Sequence, residues 1–157
     1  MPKCAHIQTR GADRRATKRS LAEAERLCER QGQRWTSQRG RTLELILEAP
    51  GPVKAYDLLP LLGEPSRPVK PQTAYRALEF WEELGLVHRI ASLNVFVACS
   101  VGGSDHIPAF LICECCGVVE EFDGRRAPSA AAVAAAHQFE IGSISLEARG
   151  RCAACKR

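Results

Sequence analysis

Two Cys-x-x-Cys motifs stand near the C-terminal end of the chain: Cys113 with Cys116, and Cys152 with Cys155. Together they offer four thiolates that could surround one ion tetrahedrally, which is the ligand set of a structural zinc site. The 35 residues between the pairs exceed the spacing of a compact zinc ribbon, so the ion would join the last strand of its domain to the first turn. Cys115 falls at the wrong offset to replace either partner. The pattern predicts a closed zinc site that supports stability; two unrelated redox pairs or buried thiols are the alternatives.

The composition indicates a protein of the cytoplasm. The chain has 157 residues, of which 45% are hydrophobic and 25% charged, an ordinary globular balance. It has no apolar run of about 18 residues, and its basic N-terminus lacks the apolar segment of a secretory signal. In a reducing compartment, paired motifs of this kind hold metal more often than disulfides. We therefore expect a cytoplasmic protein with no membrane partner, in which Cys28 packs as a small residue and Cys4 is incidental.

Catalysis does not fit the spacing of the reactive residues. A thiol oxidoreductase needs one reactive pair at a helix N-terminus, whereas both pairs here are predicted in turns and complement each other. A zinc hydrolase or deaminase needs an open metal position beside a glutamate, in a His-x-Glu or His-Glu-x-x-His motif. The sequence contains neither motif. We predict that the protein is not an enzyme and has no small-molecule substrate.

The elements that precede the cysteine motifs predict a winged helix. A flexible basic tail covers residues 1–20, Ser20 and Thr36 cap the first two helices, and Gly85 ends the helix with the strongest apolar periodicity. Three helices, a recognition helix and a hairpin over residues 21–99 form a DNA-binding domain that places one helix in the major groove. Helices are predicted over residues 20–33, 36–49, 54–63 and 71–85, and strands over 86–91 and 94–99.

A second, smaller domain follows a flexible break. SVGGSD, residues 100–105, is the predicted hinge. Residues 106–157 then form a small α/β domain for dimerisation and metal binding, and the whole chain is of the α+β class. Dimerisation is expected because a single winged helix reads too short a site. Strands are predicted over residues 109–113, 118–122 and 139–148, and a helix over 129–138.

Charge is unevenly distributed along the chain. Residues 1–100 carry 16 lysines and arginines against 11 acidic residues, whereas residues 101–157 carry 6 against 7, within a total net charge of +4. A basic N-terminal part and a near-neutral C-terminal part indicate that the first binds a polyanion and the second binds protein. The basic residues of the tail itself are expected to stay solvated.

Five segments, taken in order, resemble the ferric uptake regulator family of metal-sensing repressors, and most closely its zinc uptake regulator branch. They are RWTSQR, AYDLL, VKPQTAYRALEFWEELGLVHRI, LICECCG and GRCAAC, and the resemblance covers about residues 21–155. It implies a second zinc site, formed by residues after the recognition helix, at the end of the wing, in the hinge and after the first cysteine motif. The matching residues are His88, Cys99, His106 and Glu121. Taken singly, each has an ordinary structural explanation, so this ligand set rests on the resemblance.

The implied ligands favour zinc over iron. A thiolate among them suits a borderline-soft metal, and a filled tetrahedron of sulfur, nitrogen and oxygen ligands is redox-silent. Family members that sense iron or peroxide typically have a His-rich run before the first Cys-x-x-Cys, whereas SDHIPAFLIC has His106 alone. We therefore expect two zinc ions per subunit, one structural and one regulatory.

Arg76 on the recognition helix is the predicted base reader, because arginine pairs bidentately with guanine. The alternative is a solvated arginine on the helix face. Tyr75 could pack against a thymine methyl group or reach a phosphate, and the resemblance implies a second base contact for Tyr56. The predicted phosphate contacts, which set register without reading sequence, are Arg39, Lys54, Lys70 and Thr73.

These inferences predict a zinc-responsive transcriptional repressor that binds double-stranded operator DNA as a homodimer and controls zinc uptake genes. Zinc would tie the wing to the dimerisation domain across the hinge and fix the spacing of the two recognition helices. An iron- or peroxide-responsive repressor of the same family is the alternative, and metal selectivity would separate the two.

Overall fold

A computed structural model describes residues 13–64, 66–102, 105–126, 134, 136–142 and 144–156. The chain divides between Cys99 and Ser100 into two compact units. Residues 13–99 are called the N-terminal unit below, and residues 100–156 the C-terminal unit. Within these described residues, no helix has both the length and the apolar character needed to cross a membrane.

The N-terminal unit consists of four helices followed by a two-stranded hairpin, the expected winged helix. The hairpin is antiparallel, and Val53 before the third helix bridges to Phe96, so that a short third segment lies beside the wing. The last helix begins with Pro71 and is followed by Gly85, whose φ of +69° suits a residue without a side chain. The elements are α1 (Arg14–Arg30), α2 (Ser37–Glu48), α3 (Ala55–Leu62), α4 (Pro71–Glu83), β1 (Val87–Ile90) and β2 (Val95–Ala98).

The first helix begins earlier than predicted. Asp13, and not Ser20, is its N-cap, and the Asp13 carboxylate accepts a hydrogen bond of 2.9 Å from the N–H of Arg15. Thr17 is buried, so this first part of α1 packs against the protein. The prediction of a tail is therefore wrong for residues 14–20, because an aspartate cap and good helix formers extend the helix. Residues 1–12 lie outside the described part of the chain.

Trp81 fixes the recognition helix α4 against α2. Its side chain is fully buried, its indole N–H donates a hydrogen bond of 2.9 Å to the Arg39 carbonyl, and the edge of its ring meets Trp35. Gly40 permits this packing, because a Cβ atom there would stand only 2.6 Å from the Trp35 ring. The exposed face of α4 thereby has a defined orientation within the N-terminal unit.

The C-terminal unit contains a three-stranded sheet in the order β4-β3-β5. The central strand pairs antiparallel with β4 and parallel with β5. The last strand is shorter and later than the predicted strand over residues 139–148, because its parallel register aligns Ala109 with Leu146 and Cys113 with Gly150. The helix predicted over residues 129–138 lies largely outside the described residues. The strands are β3 (Pro108–Cys113), β4 (Val119–Asp123) and β5 (Leu146–Gly150).

Candidate metal centres and nucleic-acid interface

The thiols of the two Cys-x-x-Cys motifs converge in the C-terminal unit. The sulfur atoms of Cys113, Cys116, Cys152 and Cys155 all lie within 4.8 Å of one another. Cys116 Sγ is 3.8 Å from Cys152 Sγ. Four sulfur atoms held tetrahedrally at about 2.3 Å from zinc would stand about 3.8 Å apart. The four cysteines therefore fit one zinc ion, and Cys115 is not a member of this group.

Strand pairing brings the two motifs together. β3 ends at Cys113 and runs parallel to β5, so the second motif leaves the sheet beside the first. The first motif turns at Gly117, which has a φ of +75° and donates a hydrogen bond of 2.9 Å to the Cys113 carbonyl. Glycine adopts that backbone conformation without strain. The second motif turns in a short 3-10 helix, Ala153–Cys155.

Two of these thiols have opposite pKa shifts. The backbone N–H of Cys152 donates to Cys113 Sγ over 3.3 Å. This contact, followed by the N–H of Cys116, lowers the pKa of the Cys113 thiol to about 6. Burial raises the pKa of the Cys155 thiol, because the thiolate loses its contact with water. A bound dication would favour the thiolate form of all four, so zinc binding releases protons.

The N-terminal unit brings together the first two residues of the second predicted site. His88 lies on β1, opposite Val97, and the Cys99 N–H donates to the Leu86 carbonyl over 2.9 Å. Val97 faces the same side of the hairpin as its partner His88, and Cys99 follows Val97 by two residues. His88 and Cys99 therefore project from the same side of the wing. Their ligand atoms lie within 4.8 Å of each other.

The C-terminal unit brings together the other two. His106 Nε2 lies 3.1 Å from Glu121 Oε1, and these side chains are only 1% and 4% exposed. The second carboxylate oxygen, Glu121 Oε2, accepts hydrogen bonds from the backbone N–H and the hydroxyl of Ser100, at 2.6 Å and 2.9 Å. Sequence reasoning missed Ser100; the one available signal was a hydroxyl directly after the predicted ligand Cys99.

An ion-pair cluster joins the segments that carry His106 and Glu121. Arg125 donates to Asp123 through Nε at 2.7 Å and through Nη2 at 2.5 Å, and its Nη1 lies 3.8 Å from Asp105. The hydrogen bonds from the Arg125 side chain, followed by the one from its backbone N–H, lower the pKa of the Asp123 carboxyl to about 2. The N–H of Gly124 also donates to the carbonyl of Ile107 over 2.8 Å. The turn after β4 is thus tied to the residues that flank His106.

The two pairs supply one thiolate, two imidazoles and one carboxylate. All are ligands of tetrahedral zinc, and a cysteine in the set disfavours a hard cation such as magnesium or calcium. With the four-cysteine group, the ligand types fit two zinc ions per subunit.

The predicted DNA-contact residues lie on exposed positions of the N-terminal unit, with one exception. On α4, Ala74 and Ala77 are buried, whereas Arg76 is exposed and Gln72, one turn earlier, shares its face. Sequence reasoning did not single out Gln72, although glutamine can pair with adenine. Tyr56 on α3 is 67% exposed. The other exposed residues of the predicted set are Lys54, Lys70, Thr73 and Tyr75.

Arg39 is the exception, because its side chain is half-buried and bound within the protein. The guanidinium lies over the ring of Phe80, 3.5 Å from the ring centroid. It also donates a hydrogen bond to the carbonyl of Arg34. A phosphate contact by Arg39 stays a prediction, and it would have to use the donors that these two contacts leave available.

A winged helix joined to a sheet with a four-cysteine zinc centre defines a class of metal-binding regulators. The chain belongs to the ferric uptake regulator family, whose model matches residues 30–149. It is 38% identical over 145 residues to the zinc uptake regulation protein of Escherichia coli strain K12, covering 91% of this chain and 85% of that protein.

Two solved structures resemble the chain closely. A zinc uptake regulator complexed with zinc and DNA is 39% identical, with a TM-score of 0.81 over 88% of this chain and 94% of that one. The holo form of XcZur is also 39% identical, with a TM-score of 0.76 over 86% of this chain and 95% of the other. These matches confirm the predicted family and the predicted α+β fold.

Proposed function

We propose that the chain is a zinc-responsive transcriptional repressor, which binds operator DNA as a homodimer and controls zinc uptake genes. The observation that carries this proposal is the distribution of the second ligand set. His88 and Cys99 belong to the unit with the recognition helix, and His106 and Glu121 belong to the unit with the structural zinc centre. A metal held by both pairs would make the position of the recognition helix depend on zinc.

The hinge over residues 100–105 connects the two pairs of ligands. Bound zinc supplies a cross-link between their side chains. The pairs would hold the ion through side chains that their own units already orient. His88 and Cys99 lie on or beside the wing, His106 lies just before β3, and Glu121 lies on β4. Such a cross-link shifts the population of conformers towards the spacing of recognition helices that two DNA half-sites require. The size of this shift is limited by the difference in zinc affinity between the conformers.

The exposed face of α4 would enter the major groove. Arg76 would pair with a guanine, and Tyr75 and Tyr56 would contact a neighbouring base or phosphate. The support is their exposure on helices whose opposite faces are buried in the core. The residues assigned to phosphate contacts are Arg39, Lys54, Lys70 and Thr73.

Residues 106–157 are assigned to dimerisation as well as metal binding. Leu111, in the middle of the central strand β3, is 48% exposed, and Val118, directly before β4, is 38% exposed. Apolar side chains on the surface of a sheet are typical of an interface between subunits. The two-fold symmetry of a dimer would match two DNA half-sites.

An iron- or peroxide-responsive repressor of the same family is the second candidate. The ferric uptake regulator of Helicobacter pylori is only 14% identical, with a TM-score of 0.53, and that likeness shows the fold alone. The relatives at 38% and 39% identity are named for zinc. The Cys99 thiolate in the second ligand set also favours zinc.

The family consists of regulators, and we propose that this chain has no enzymatic activity and acts in the cytoplasm. Its four-cysteine centre has no open position for a substrate or a water. The four cysteines of that centre are free thiols, the form from which the zinc-binding thiolate is made.

The decisive experiment is fluorescence anisotropy of a labelled operator duplex, titrated with protein at several buffered concentrations of free zinc. Ferrous iron under anaerobic conditions is the parallel arm. We expect binding to appear with zinc at low free concentration and to be unaffected by iron. Binding that responded to iron would favour the second candidate, and binding indifferent to both metals would contradict a sensor at the second ligand set.

A further inference from the structure

The carboxylate of Glu121 has a different partner at each oxygen. Oε1 lies 3.1 Å from His106 Nε2, whereas Oε2 accepts two hydrogen bonds from Ser100. All three residues belong to the C-terminal unit. The Glu121 side chain is only 4% exposed, so water is largely absent and hydrogen bonds within the protein orient the carboxylate.

Ser100 holds this oxygen through two donors of different kinds. The backbone N–H at 2.6 Å would remain with any residue except proline, and the hydroxyl at 2.9 Å depends on the side chain. Hydrogen bonds to an ionised acceptor are about twice as strong as neutral ones. Two of them on one oxygen make that oxygen a poor ligand for a further cation, so the oxygen beside His106 is the one that would bind zinc.

We propose that Ser100 is a positioning residue that makes Glu121 a one-oxygen zinc ligand. The inference rests on the proposed regulatory role of Glu121 and adds a residue outside the ligand set. A carboxylate bound through one oxygen preserves four-coordination, whereas a carboxylate that offers both oxygens permits a fifth bond.

The test compares three single variants of the full chain with the wild type. Ser100→Ala removes the hydroxyl, Ser100→Thr keeps it, and Ser145→Ala is a matched control at an exposed serine of the same unit. Zinc affinity is measured by competition with a chromophoric chelator, after the four-cysteine site has been filled. Cobalt absorption spectra of the second site report coordination number independently of DNA binding.

We expect Ser100→Ala to weaken zinc binding at the second site about tenfold. This is the lower end of the range of losses seen when a residue that orients a metal ligand is removed, because the backbone N–H of residue 100 remains as a donor. The cobalt bands should lose intensity as the site becomes five-coordinate, and Ser100→Thr should restore both properties. An unchanged affinity and spectrum in Ser100→Ala would overturn the inference. Equal weakening in Ser145→Ala would also overturn it, since the effect would then be general.

Failure of the proposed function would look different. A wild-type chain that binds only one zinc ion, or a Cys99→Ser variant that keeps both ions, would contradict the regulatory site itself. A wild type with two ions, one of them lost in Cys99→Ser, upholds that site. The zinc affinity and cobalt spectrum of Ser100→Ala then test only the positioning role of Ser100.

Discussion

The two candidate zinc sites differ in where their ligands come from. The four-cysteine site draws every ligand from one unit, with two motifs joined by the pairing of β3 and β5. The second set has mixed ligands, two from each unit. A metal bound within one folding unit contributes to the stability of that unit, whereas a metal bound by two units biases their arrangement. Zinc can thus have a structural role at one site and a regulatory role at the other.

The largest expected effect comes from breaking the four-cysteine site. Cys113→Ser should unfold the C-terminal unit, because structural zinc contributes about 10–16 kcal/mol of apparent binding free energy in small zinc domains. Circular dichroism during thermal unfolding, together with zinc content by atomic absorption, would measure the loss. Ser145→Ala, at an exposed serine of the same unit, is the control and should keep both the metal and the transition. A soluble, cooperatively unfolding Cys113→Ser dimer that lacked this metal would contradict the structural role.

Cys99→Ser should affect function without unfolding either unit. The variant should retain one zinc ion per subunit and lose the zinc-dependent gain in operator affinity, about 5–150-fold for a coupling of 1–3 kcal/mol. Metal analysis would measure the zinc content per subunit, and anisotropy titrations would measure the zinc-dependent gain in operator affinity. Mild chelation of the wild type should reproduce the variant. An undiminished zinc response in Cys99→Ser would remove the distinction between the two sites.

Arg76→Ala tests the surface on which the second site is proposed to act. We expect a loss of about 1–3 kcal/mol in operator binding, with relaxed specificity at one base pair, because a bidentate guanine contact is lost. Both zinc ions should remain bound. Binding to a panel of operators with single base-pair changes would reveal the affected position, and Lys70→Ala is the comparison for a phosphate contact. A uniform loss over the whole panel would make Arg76 a phosphate contact as well.

The smallest expected effect concerns the start of α1, remote in sequence from every metal ligand. Asp13→Ala removes the observed N-cap and should cost about 1 kcal/mol in the free energy of unfolding. Ser20→Ala is the matched control, since Ser20 lies within the helix and should lose little. Urea denaturation followed by circular dichroism would compare them. A larger loss in Ser20→Ala would restore the shorter helix that the sequence predicted.

Several features could be predicted from sequence because their causes are local. The two Cys-x-x-Cys motifs indicate zinc through the short spacing within each pair. Thr36 caps α2, with its hydroxyl accepting from the Arg39 N–H at 3.2 Å. Gly85 ends the recognition helix with a positive φ. The second ligand set was predicted only through a family resemblance, since no spacing rule relates four residues spread from His88 to Glu121.

Other features depended on competition between alternatives that local patterns do not resolve. Asp13 and Ser20 are both acceptable caps, and burial of Thr17 favours the longer helix. The last strand could begin at several points along residues 139–148, and parallel pairing with β3 selects Leu146. In each case the packing of a distant segment decides between local choices of similar free energy.

The sequence by itself therefore determined the winged helix, the four-cysteine zinc ligands and the exposed face of α4, because helical periodicity and motif spacing are encoded over a few residues. Only the tertiary structure decided which oxygen of Glu121 meets His106 and which meets Ser100. That choice depends on chain segments 15 and 21 residues away from Glu121. Hydrogen bonds of that range form only after the sheet has set the path of the chain, and no local pattern specifies them.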